Sequence, residues 1–88
     1  MRARAASDVL ASIAANVRAQ RAQLGLSQAQ LAERADLELR HLQRIERGRT
    51  NFGVVTLVWL AEALGVRPGT LLRRSALPPT RHGRPPRE

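Results

Sequence analysis

The 88-residue sequence has no cysteine, no tyrosine and no lysine, and only one phenylalanine and one tryptophan. Without cysteine there is no disulfide scaffold, no zinc finger and no thiol nucleophile, and the redox compartment stays open. So few aromatics leave a core to be built from Leu, Ala, Val and Ile. No apolar run approaches the ~20 residues of a membrane span. Residues 1–15 hold Arg2 and Arg4 but no unbroken apolar stretch, which argues against a secretory signal. The expectation is a cytoplasmic protein with no membrane attachment. Its length is room for one small domain.

What is abundant is positive charge. Fifteen Arg face seven acidic residues, for a net charge of +8. Guanidinium forks match phosphate oxygens. A GC-rich coding sequence, to which the many Ala also point, explains the same bias. The excess is uneven. Residues 27–47 are neutral, with four Arg against four acids, whereas residues 73–88 hold five Arg against Glu88 alone. A strongly basic chain favours a polyanionic partner, most often nucleic acid. Charge carried largely in a tail is a weak signal, so the case rests on motifs.

The apolar spacing is helical throughout, with no strand pattern and no repeat. Residues 1–6 are expected to be a disordered leader, with Ser7 or Asp8 capping a first helix. Val9, Leu10, Ile13, Val17 and Leu24 then form its apolar side, and Gly25 stops it. Ser27-Gln28-Ala29-Gln30 fits the S-x-x-Q capping box of a second, short helix. A break at Asp36-Leu37 leads to a third helix over about 38–47, ended by Gly48. A loop over 49–53 precedes a fourth helix ending at Leu64-Gly65. Pro68 suits the first turn of a last short helix. From Ser75 onward, Pro78-Pro79, Gly83, Pro85-Pro86 and scattered Arg replace the periodic pattern. Such a segment cannot bury enough apolar surface to order itself. The expected organisation is an all-α bundle of about five helices over 7–73, followed by a disordered basic, proline-rich tail over 74–88.

Within 28–47, Leu31, Ala32, Ala35, Leu37, Leu42 and Ile45 can be buried between two short helices joined by a tight break. At ~100° per residue, Leu39, Gln43, Arg47, Arg40 and Arg44 sweep an arc of about 140°, opposite Leu42, Ile45 and Glu46. That outer arc has the residue types that reach guanine, adenine and phosphate. A merely solvated amphipathic helix has the same stripe. In the fourth helix, Leu57, Leu60, Ala61 and Leu64 share one side while Val55 and Trp59 lie on another, and a helix apolar on two sides is buried twice. Either helix 1 or helix 5 covers Trp59 within the monomer, or Val55 and Trp59 belong to a self-association surface. Leu71 and Leu72 on the last helix are further candidates for that surface.

No constellation suggests an enzyme. His41 and His82 have no second ligand at metal-site spacing. Arg67-Pro68-Gly69-Thr70 lacks the glycine spacing and Lys of a P-loop. The four Ser have no plausible base. No cofactor or metal is expected.

The order of residues adds a resemblance. Gly25-Leu26-Ser27-Gln28 with Leu31-Ala32, then Ile45-Glu46-Arg47-Gly48, then Thr56-Leu57 with Leu60-Ala61 and Leu64-Gly65-Val66 together resemble the phage lambda repressor and Cro superfamily. The resemblance covers roughly residues 10–72. It implies a compact bundle of about five helices whose second and third form a helix-turn-helix, the third entering the major groove of double-stranded DNA. It implies base reading by Leu39, Arg40, Gln43 and Arg44. It implies phosphate contacts from Gln28, which also supports the recognition helix, and from Arg49, Thr50 and Asn51 in the following loop. Arg47, at the end of the basic arc, is added to the phosphate set. Arg21 and Glu46 match a family pair that forms an internal salt bridge. Family members commonly dimerise to match a palindrome, so a homodimeric repressor is the expectation. The alternative is a protein-interaction module, such as an antitoxin that binds a partner protein as well as its own operator.

Three positions depart from the family pattern. Asp36 stands where Gly is usual in the turn, and Asp tolerates left-handed geometry better than most residues. Glu38 stands where Ser or Thr usually opens the recognition helix; its carboxylate can cap there, lies close to phosphate, and could accept a bond from cytosine N4. Leu39 is apolar on a polar face, and a thymine methyl would suit it.

Overall fold

The computed structural model describes residues 2–75. Five helices follow in order: α1 (Arg2–Gln23), α2 (Gln28–Arg34), α3 (Leu39–Glu46), α4 (Val54–Leu64) and α5 (Pro68–Leu72). The fold is all-α. Among the described residues no helix is long and apolar enough to cross a membrane. The residues of the expected tail from 76 onward lie outside the described residues.

α1 begins earlier than the cap signals imply. Ser7 and Asp8 lie inside the helix and do not cap it. The residues ahead of them are Arg and Ala, strong helix formers without a breaker, so the helix runs back to Arg2 through most of the expected leader. The core side of α1 is also shorter than its apolar spacing suggests. Ile13, Ala14, Ala15 and Val17 are buried, whereas Val9 and Leu24 are about half exposed. The reason is length: 22 residues of α1 outrun partner helices of 5 to 11 residues, so both ends project past the bundle.

The capping box at the start of α2 is complete. Ser27 Oγ accepts from Gln30 N at 3.0 Å, and Gln30 Oε1 accepts from Ser27 N at 2.8 Å. At its end, Leu37 N donates to Ala32 O and Asp36 N to Glu33 O, the paired closure of a Schellman turn. That closure needs a left-handed residue, and Asp36 supplies it at φ 58, the only described non-glycine residue with positive φ. Glu38 sits at the N-cap of α3 but makes no side-chain cap bond, so the carboxylate does not play the expected capping part. It is exposed to solvent, where water satisfies it. Gly48 ends α3 at φ 74, and a Cβ there would come into ordinary contact with Ala11 and Ala14 of α1 at 3.4 Å. The left-handed backbone is what calls for glycine here.

α1 packs on α3 and α5, α2 packs on α3 and α4, and α4 packs on α5. Val17, Leu31, Leu42, Ile45, Leu60 and Leu71 are the largest fully enclosed side chains, one or more from every helix. Leu71 is therefore core and not an interface residue as expected from its place on the last helix. α5 is only five residues long and is wedged against α1 and α4, so one of its two leucines must face inward; Leu72 faces out. The Asn16 amide holds this wedge, donating to Leu71 O at 2.9 Å and to Arg73 O at 2.7 Å.

Candidate nucleic-acid interface

α3 is amphipathic because its two sides have different work. Leu42, Ile45 and Glu46 are buried against the bundle. Leu39, Arg40, Arg44 and Arg47 are exposed on the opposite arc, and Gln43 is half-buried between them. The loop that follows presents Arg49 and Asn51 to solvent, with Thr50 half-buried. Arg40, Arg44, Arg47 and Arg49 thus come from one short helix and the residues just after it. The nearby carboxylates of Asp36 and Glu38 are also exposed.

Behind this surface lies a polar network that fixes α3 to α1 and α2. Glu46 is 4% exposed, so its carboxylate cannot rely on water. Arg21 grips both oxygens, Nε to Oε2 at 2.7 Å and Nη2 to Oε1 at 3.0 Å. The fork geometry makes this a strong, charge-assisted pair. Arg21 Nη1 also donates to Leu26 O at 3.0 Å, tying the α1–α2 connection to the same guanidinium. Gln28 Nε2 donates to Glu46 Oε1 at 3.0 Å, and Gln43 Nε2 to Gln28 Oε1 at 3.4 Å. Gln28 therefore touches both the buried carboxylate and the outer arc. Arg18 Nη1 donates to the backbone oxygen of Glu46, an unexpected contact. The clue was available: Arg18 lies three residues before Arg21, on the same side of one helix.

On α4, Val55 is 59% and Trp59 43% exposed, and Val54 is more open still. Trp59 borders an open cleft with Arg34, Asp36 and Glu62. The second apolar side of α4 is left partly exposed in the monomer.

The sequence profile of the helix-turn-helix family matches residues 17–71, which spans α2, the turn, α3 and their supports. The chain belongs to the helix-turn-helix family, of the lambda repressor and Cro type. This family binds double-stranded DNA and regulates transcription. Among solved structures, the chain is similar to the hypothetical transcription factor NHTF from Neisseria, at 33% identity and a TM-score of 0.75, over 78% of this chain and 79% of that one. It is also similar to the restriction-modification controller protein C.AhdI from Aeromonas hydrophila, at 34% identity and a TM-score of 0.68, over 70% of this chain and 94% of that one. No curated protein matches it. Within a helix-turn-helix protein, α2 and α3 are the motif, α3 is the recognition helix, and Asp36 is the turn residue. The left-handed turn is made here without glycine.

Proposed function

We propose that this helix-turn-helix protein is a cytoplasmic repressor that occupies a palindromic operator as a homodimer. The observation that carries the reading is the exposed arc of α3, held by a core on one side and by the Arg21–Glu46 pair at its end. Leu39, Arg40, Gln43 and Arg44 are assigned to base edges. Arginine forks suit guanine, the glutamine amide suits adenine, and the leucine suits a thymine methyl. Gln28, Arg47, Arg49, Thr50 and Asn51 are assigned to the sugar-phosphate backbone, where they set register without reading sequence. The similarity to a transcription factor and to a restriction-modification controller supports a regulatory role.

One recognition helix reads few base pairs, and a two-fold pair reads half-sites about one helical turn (~34–36 Å) apart. The exposed Val55 and Trp59, with Leu72 as a further candidate, support self-association. The same partly exposed side of α4 favours a second reading, in which it engages a different protein, as in an antitoxin that also binds its operator. The test is binding to the DNA upstream of its own gene at two salt concentrations, against random DNA. A repressor binds its upstream DNA more tightly than random DNA by at least about 10³. Equal affinity for both would overturn sequence-specific repression. Sedimentation of the free chain separates a homodimer from a monomer that awaits another protein.

A further inference from the structure

Four side chains from three helices form a single directed chain of hydrogen bonds, running from the exposed arc of α3 to the buried carboxylate. Gln43 donates to Gln28, Gln28 donates to Glu46, and Arg21 donates twice to Glu46. The direction is forced at its buried end. A carboxylate paired with arginine accepts and does not donate. If the Gln28 amide were reversed, its oxygen would face the Glu46 oxygen, two acceptors in contact with little water to separate them. Gln28 must therefore turn its nitrogen inward and its oxygen outward. An amide oxygen only accepts, so Gln43 must in turn offer it an N–H.

We infer that Glu46 is a positioning residue for base selection: it sets the polarity of the Gln28 amide and, through it, that of Gln43. Gln43 then has Oε1 and one N–H left for the groove. That is the acceptor and donor pair that matches N6 and N7 of adenine. Arg21 holds the carboxylate in place but lies three hydrogen bonds along the chain from the base reader, against two for Glu46. The inference rests on the reading that α3 enters DNA, and it adds that the ion pair at its base is also a specificity determinant.

Two measurements on the full chain test it. The first needs no DNA. The side-chain amide protons of Gln43, followed by NMR, should be well separated and slow to exchange in the wild type. They should move to free-amide positions in Gln28→Leu, which keeps the Arg21–Glu46 pair and so keeps the fold. Glu46→Gln should do the same if it folds, because an amide at that site can face either way. The second is selection from a randomised DNA pool, scored as base preference at each position so that a uniform loss of affinity cancels. Wild type should prefer adenine at one base pair by about tenfold, and Gln43→Ala should abolish that preference. Gln28→Leu should lower it below about threefold at that pair and leave the preferences set by Arg40 and Arg44 in place. Unchanged Gln43 amide resonances in Gln28→Leu, or an undiminished adenine preference, overturn the relay alone. Selection of no sequence by the wild type overturns the DNA reading itself.

Discussion

The side-chain amide of Asn16 donates to the carbonyl oxygen of Leu71 at 2.9 Å, across 55 positions of sequence. A second bond from the same nitrogen reaches Arg73 O, so one α1 side chain closes the C-terminal end of α5. A five-residue helix cannot hold itself together by its own hydrogen bonds, since isolated helices below ~12–15 residues are marginal even in good sequences. α5 persists because Leu71 is buried and Asn16 takes its terminal carbonyls. Ser12 adds a nearby tie, its Oγ accepting from Ser75 N at 3.2 Å.

Asn16→Ala should therefore loosen the last helix more than the rest of the bundle. The expected cost is about 1–2 kcal/mol, the worth of two side-chain bonds, one of them to the part-buried Leu71 carbonyl. Hydrogen exchange at Leu71 to Arg73 should accelerate well before that of α3. Uniform acceleration across all helices would mean that α5 has no separate dependence on Asn16.

Asp36→Gly should stabilise the fold. Asp36 carries the left-handed backbone of the turn at φ 58, and its side chain is exposed. Relief of the Cβ strain outweighs the added freedom of the unfolded chain, for a net gain of about 0.5–1 kcal/mol. Thermal melting checks it, and an unchanged or lower midpoint would mean that the carboxylate supports the turn in a way the geometry does not reveal.

Arg40→Ala should cost about 1–3 kcal/mol on the selected operator and relax preference at one base pair. Titration of operator and random DNA in parallel gives the answer. The same loss on both would remove Arg40 from the base readers and place it on the backbone.

Arg49→Ala should weaken every DNA sequence alike. Its expected signature is a salt-dependence slope lower by about one, the counterion share of a single phosphate contact. An unaltered slope would show that Arg49 does not neutralise a phosphate.

Trp59→Ala should shift the chain toward monomer while its helical circular dichroism is retained. Trp59 is 43% exposed and none of the fully enclosed core side chains depends on it alone, so the bundle keeps its helices, and large aromatics at interfaces carry a disproportionate share of the binding energy. Sedimentation velocity over a concentration series measures the shift. A variant that remains dimeric would move the interface away from α4, towards the exposed Leu72 and Val9.

Much of the bundle is legible residue by residue. Ser27 and Gln30 announce the start of α2, Gly48 the end of α3, and Pro68 the first turn of α5 because caps and breakers act over a few neighbouring residues. The outward arc of α3 follows from a 3.6-residue period and six apolar positions, as does the burial of Leu42 and Ile45. The start of α1 differs from the cap signals for a related reason: Ser7 and Asp8 are good caps, but nothing in residues 2–6 breaks a helix, and a cap residue does not start one by itself.

What the sequence determined by itself was local: five helices, their stops, the left-handed residue at Asp36 and the polar arc on α3. Which face of a short helix is covered was decided by tertiary structure alone. Leu71 and Leu72 are adjacent leucines with equal local preference, and only the wedge between α1 and α4 buries the first and exposes the second. Trp59 is the largest apolar side chain on α4, yet it stays 43% exposed beside a cleft shared with Arg34 and Asp36, because the packing of α2 against α4 leaves that side open. Arg18, Gln28 and Glu46 converge for the same reason. Their meeting depends on how three helices cross, and a crossing is set by the fit of whole buried faces, which no short stretch of chain contains.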